Sequence, residues 1–221
     1  MFLPTAVSVD YIFSFTRGVY IILRLVCQRV FFYAKNIDRG GHYMSNCITT
    51  FSKVSFNPLN PDKKDILLDD IAHALSLMTR ANGHFAEFYS VAQHCIFCCE
   101  EAIARGYGDK VALSCLLHDA SEAYLADITR PVKKNLNQYL EIEDILQSAI
   151  YEKYIEEELS EDEKELINIV DNSMLYYEFI HYMGHALQIN YTELVSKPDF
   201  RFVAFSEVEN RYKELFNKLV K

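Results

Sequence analysis

The stretch Ser160–Met183, SEDEKELINIVDNSMLYYEFIHYM, decides the fold class. It holds neither glycine nor proline. Ser160 stands three residues before Glu163, a spacing that lets each side chain satisfy a backbone N–H of the other at a helix start. Ile167, Val170, Met174 and Leu175 then recur at helical intervals, which predicts one long helix through about Met183. Asp171 interrupts that apolar face. A carboxylate there points inward, and burying it unpaired would cost several kcal/mol, so it needs a cation or strong donors. A structural salt bridge or a cap to a neighbouring helix would also satisfy it.

Working outward, the same grammar recurs. A helix is expected from about Asp69 to Asn82, capped by Asp69 or Asp70, striped by Ile71, Leu75 and Met78, and ended by Gly83. Ser90 and Gln93 make a capping-box pattern before Val91, Cys95, Cys98 and Ala102, with an end near Gly106. A further helix starts near Asp109 and stops around His118 to Tyr124. Pro131 punctuates a loop, and a long helix covers about Gln138 to Glu157, with Tyr139, Ile142, Leu146, Ala149 and Ile150 inward. Ser206 and Glu209 make a third capping pattern before Val208, Tyr212, Leu215, Phe216 and Leu219. Residues 48–56, ITTFSKVSF, suggest a short strand or hairpin, and Pro58 and Pro61 a turn. The sum is an all-α bundle with at most a small β element near residues 48–56.

Composition fits this reading. Only 7 Gly and 5 Pro in 221 residues argue against a loop-rich β fold. The formal net charge of −9 argues against broad nucleic-acid binding, which needs a basic footprint, but leaves room for a small phosphate substrate. Cys95, Cys98 and Cys99 crowd one helix, which suits buried thiols in a reducing cytoplasm better than a disulfide framework. Cys95 and Cys98 could serve zinc, but no second Cys or His pair follows at finger-like spacing.

Residues 1–43 look unlike the rest. Arg17, Arg24 and Arg29 break the apolar run from Tyr11 to Tyr33, so neither a membrane span nor a secretory signal is expected there. The segment reads either as an extra element resting on the domain or on a membrane surface, or as the product of an upstream start, with the native chain beginning at Met44. The second is the expectation, and the domain proper is taken as 44–221.

Two more polar residues break the pattern. His94 sits inward between Val91 and Cys98, where a lone histidine is usually a satisfied core residue. His118 and Asp119 follow the apolar pair Leu116–Leu117, and one such pair is common by chance. Together, two imidazoles and two carboxylates from three helices form a donor set that suits a borderline or hard divalent cation. Such a cation acidifies water into a nucleophile near neutral pH. Glu122 falls on the face of Asp119 and His118 if the helix continues, within reach of general-base work. Arg80 could grip phosphate bidentately, and Lys133 and Lys134 could pair with it. His73 and His84 read as structural or supporting groups.

These stretches resemble the HD-domain phosphohydrolases, closest to the branch of bacterial 5′-deoxynucleotidases and phage nucleotide phosphohydrolases. The likeness rests on YSVAQH (Tyr89–His94), LLHDASEAYLADITRPVKK (Leu116–Lys134) and VDNSML (Val170–Leu175), with support from IAHALSLMTRANGH (Ile71–His84). It covers about residues 48–183. It implies an HD-type helical bundle holding one divalent ion (manganese, cobalt, magnesium, iron or zinc) on His94, His118, Asp119 and Asp171. Glu122 would orient or deprotonate the attacking water, Asp127 would assist proton transfer or substrate selection, and Arg80 would contact phosphate. The implied substrate is a nucleotide, most simply a deoxynucleoside 5′-monophosphate, with a triphosphate or a phosphodiester as variants. A non-enzymatic metal or nucleotide sensor keeping the same pocket is the alternative outside enzymology. A homodimer is also implied, since dimers are frequent in that branch. One departure stands out: Ala126 occupies the position before the second acid, where the family commonly has glycine.

Overall fold

The computed structural model describes residues 46–155 and 157–220, so the expectations for residues 1–43 lie outside the described residues. A two-stranded antiparallel hairpin opens this part, β1 (Ile48–Thr49) against β2 (Ser55–Phe56). Seven helices follow: α1 (Leu68–Leu77), α2 (Val91–Ala104), α3 (Asp109–Leu117), α4 (Arg130–Lys133), α5 (Asn137–Tyr154), α6 (Glu161–Met183) and α7 (Phe205–Leu219). The architecture is therefore helical with the small hairpin anticipated near residues 48–56.

Helix α2 is the axis of the packing, with α1, α3, α6 and α7 against it. Every residue from Val91 to Cys99 is buried. A helix buried on every face, with polar exceptions only at Gln93 and His94 in this stretch, lies at the centre. Around it lie Leu75, Leu116, Leu146, Met174 and Tyr212, each at 0% exposure. On α6 the Ser160–Glu163 capping box forms as read, and Gly184 closes the helix at φ 69°, in the left-handed region glycine tolerates best.

Four local expectations fail for identifiable reasons. Helix α1 ends at Leu77, not Asn82, because Met78 turns extended and Thr79 bridges to Ser90 across the loop. Ala81, Asn82 and Gly83 then all take positive φ. Asp70 does not cap α1; it is buried, and its Oδ1 accepts the Ser52 backbone N–H at 2.6 Å, tying the hairpin turn to the helix. Pro131 does not mark a loop but sits in the first turn of α4, where its missing N–H costs nothing. The Ser206–Glu209 cap is absent: Ala204 starts α7, and Glu209 instead meets His73 at 3.0 Å and Lys213 at 2.9 Å. At α2 the cap is half formed. Ser90 accepts from Gln93 N, while the Gln93 amide donates to the carbonyl of Arg201.

The irregular stretch 185–203 is pinned by side chains of the helices. Glu101 accepts from Val195 N at 2.9 Å, from Ser196 N at 2.8 Å and from the Ser196 hydroxyl. Ser173 Oγ accepts from Thr192 N, and the Tyr182 hydroxyl donates to the carbonyl of Phe200. Leu187 and Ile189 of this stretch line a cavity together with Arg80, Asp119, Glu122, Asp127, Lys133 and Asp171.

Candidate metal centre

His94 projects from the first turns of α2 and is completely buried. His118 caps the end of α3, and its Nδ1 lies 2.8 Å from the carbonyl of Cys115. That carbonyl can only accept, so Nδ1 donates to it and Nε2 is the nitrogen turned toward His94, Asp119 and Asp171. Helix α3 does not continue through Glu122 as the same-face argument assumed. It gives way to a 3₁₀ turn, Ala120–Ala123, where residues three apart eclipse. Asp119 and Glu122 consequently still face the same cavity. Asp171 reaches in from α6.

The four side chains converge. The two Nε2 atoms are 3.2 Å apart. Asp171 Oδ1 lies 3.2 Å from His94 Nε2 and 3.8 Å from His118 Nε2. Asp119 Oδ2 lies 3.3 Å from His118 Nε2 and 3.9 Å from His94 Nε2. Nitrogen and oxygen ligands bound at about 2.0–2.2 Å sit roughly 3–4 Å from one another around one ion, the range of these imidazole–imidazole and imidazole–carboxylate separations. Sulfur is close too. Cys98 Sγ is 3.6 Å from His94 Nε2, and the donor atoms of His94, Cys98 and His118 lie within 4.8 Å of one another, as do those of Cys95, His118 and Asp119. The described residues thus contain groups able to hold a metal ion.

The electrostatics point the same way. Asp119, Glu122, Asp127 and Asp171 line one cavity. Burial works against charge on His94 and Arg80 repels it, yet Glu178 and Asp171 outweigh both and raise the imidazole to about 9. The surrounding carboxylates therefore favour the charged form of this imidazole. Burial would raise Asp171, but His94, His118 and Arg130 hold it far below the usual carboxylate range. Burial, reinforced by Asp119 and Asp127, pushes Glu122 well up, and its Oε2 is buried without a hydrogen bond. Burial also raises Asp127, with Arg80 opposing. A buried carboxylate with a free oxygen and like-charged neighbours is the residue a nearby cation would relieve.

Arg80 is no surface arginine. Its side chain is 11% exposed, with Nη1 3.1 Å from Asp119 Oδ2 and Nη2 3.6 Å from Glu178 Oε2. Lys133 also lines the cavity, held by Glu143 at 2.5 Å and lying 3.9 Å from Glu122. Lys134 is exposed. His84 borders the cavity, whereas His73 stacks on Phe51 at 3.7 Å.

Two residues escaped the sequence reading. Arg130, which lines the cavity, donates to Asp171 Oδ2 at 2.5 Å and to Asn172 Oδ1 at 2.7 Å. Glu178 is fully buried and meets His94 Nδ1 at 2.6 Å. Its signal was available: it lies seven residues, two helical turns, beyond Asp171 and so on the same face.

The cavity has a volume of about 650 Å³. Its lining also includes the apolar side chains of Phe85, Leu175, Phe179, Met183, Leu187 and Ile189. Among the described residues no helix is long and apolar enough to cross a membrane.

No family model matches the chain. An uncharacterized protein of Escherichia coli K12, YfdR, is 40% identical over 107 residues, covering 48% of this chain and 57% of YfdR. An uncharacterized protein of Rhodobacter capsulatus is 39% identical over 102 residues, covering 43% of this chain and 52% of the relative. The chain thus spans about half the length of the curated relatives it matches.

Proposed function

We propose that the chain is a metal-dependent phosphohydrolase of the HD type, releasing phosphate from deoxynucleoside 5′-monophosphates. The observation that carries this reading is the approach of both Asp119 and Asp171 to within 3.9 Å of both imidazoles. His94, His118, Asp119 and Asp171 would hold a divalent ion, which would supply Lewis acidity toward water and phosphoryl oxygens. Glu122 faces the same cavity and is kept basic by burial and by Asp119, as a general base needs. Arg80, already paired with Asp119, offers a guanidinium fork to the phosphate. Asp127 and Lys133 flank the same space and would assist proton transfer and phosphate pairing.

The shape of the cavity supports a nucleotide. Pockets of this volume suit one small ligand. Charged and apolar side chains line the same cavity, which suits a ligand with a phosphate at one end and a base at the other. A triphosphate or a cyclic diester would use the same charged groups. The buried thiols fit a reducing cytoplasm, and a homodimer belongs to the same proposal.

The test is elemental analysis of purified protein paired with a product assay on deoxynucleoside mono- and triphosphates and cyclic nucleotides. Inorganic phosphate from monophosphates is the expected product. Triphosphate release or diester opening would move the reaction within the class. Bound metal without turnover of any nucleotide would defeat the hydrolase reading and favour a sensor.

A further inference from the structure

Glu178 stands behind the candidate metal centre without facing the cavity. It is fully buried on α6, and the buried His94 and Tyr89 and the largely buried Arg80 meet it. Its Oε1 is 2.6 Å from His94 Nδ1 and 2.8 Å from the Tyr89 hydroxyl. Its Oε2 makes no hydrogen bond and lies 3.6 Å from Arg80 Nη2. Tyr89 is completely buried as well and comes from the last residues before α2. Three separate elements therefore meet on one carboxylate.

A buried acid is costly to keep, and plain packing would be served better by an apolar residue. What an apolar residue cannot do is choose which nitrogen of His94 carries the proton. With a carboxylate 2.6 Å from Nδ1, that nitrogen donates to Glu178, so Nε2, 3.2 Å from both Asp171 Oδ1 and His118 Nε2, is the nitrogen left to bind an ion. Ligating histidines commonly have such a partner on the other ring nitrogen, and it fixes both tautomer and ring orientation. The same carboxylate attracts the guanidinium that faces Asp119.

We propose that Glu178 is a positioning residue with two charges in its care. It locks His94 as a ligand through Nε2 and aims Arg80 at the phosphate position, while the Tyr89 hydroxyl holds the carboxylate in place. This rests on the metal-centre reading above. It also accounts for the tyrosine of the YSVAQH stretch, which the catalytic roles leave unused.

The experiment compares the full chain with Glu178→Gln and Tyr89→Phe. Manganese and cobalt affinities are measured by chelator competition, His94 ring nitrogens by ¹⁵N NMR, and folding by thermal melts. Glu178→Gln is expected to weaken both metals about 10–100-fold and to move the His94 nitrogen shifts. Tyr89→Phe, which removes only the hydroxyl, weakens them in the same direction by less. Where nucleotide turnover is measurable, Glu178→Gln also raises KM through the misaimed arginine. Unchanged metal affinity and unchanged His94 shifts in a Glu178→Gln protein that merely melts lower would make the residue structural and overturn the proposal. If Glu178→Gln does not fold, Tyr89→Phe decides by the same two readouts. Wild-type protein that takes up neither metal would bring down the metal-centre reading itself, whereas wild-type uptake matched by both variants brings down only the role of Glu178.

Discussion

Replacing Ala126 with glycine should stabilise the protein. Ala126 holds φ at 148°, in a region where a side chain on Cα is crowded and glycine is at ease. The conformation is enforced from outside: the Tyr139 hydroxyl donates to the Ala126 carbonyl at 2.7 Å, and the next residue, Asp127, is turned into the cavity. Such strained positions cost about 1–3 kcal/mol. Glycine removes that cost and adds about 0.4–1 kcal/mol of unfolded-chain entropy. The balance favours Ala126→Gly by about 1 kcal/mol, which for a chain of this size corresponds to about 2–4 °C in Tm. Calorimetric melts of the full chain measure it, with Ala126→Val as the opposing control, since a branched side chain worsens the crowding and should lower Tm. A glycine variant that melts at or below the wild-type temperature would refute the strain argument. So would a valine variant that matches wild type.

Glu122→Gln should lower turnover by about 10²–10⁴-fold while the bound metal, read by elemental analysis, stays at the wild-type level. Loss of the metal in this variant would make Glu122 a ligand instead. Glu101 is held below its usual 4.5: burial would raise it, but the Ser196 hydroxyl, two backbone N–H groups and Arg105 outweigh that. A depressed folded pKa stabilises above about 4.5 and ceases to do so as pH falls through the folded value. Glu101→Gln should therefore cost about 1–2 kcal/mol at neutral pH, and its deficit in Tm should shrink below pH 4.5; a deficit independent of pH contradicts this. Ser160→Ala removes half of the α6 capping box and should cost about 1 kcal/mol, seen as a lower denaturation midpoint with an unchanged slope.

Local order was readable from the chain itself. The Ser160–Glu163 cap, the reach of α6 to Met183, the start of α3 at Asp109 and the 48–56 hairpin follow from capping and periodicity, which act within a few residues. Periodicity also set His94 and Asp171 inward, because it reports which face of a helix is buried. It says nothing of what waits across the gap. That Asp171 meets His94 at 3.2 Å, that Arg80 lies against Asp119, and that Glu178 backs His94 are contacts between residues far apart in sequence, and only the packing of α6 and α3 on α2 decides them. The early end of α1 is of the same kind: the apolar stripe ran on, but bridging of Thr79 to Ser90 outweighed local helix preference and bent the loop that carries Arg80.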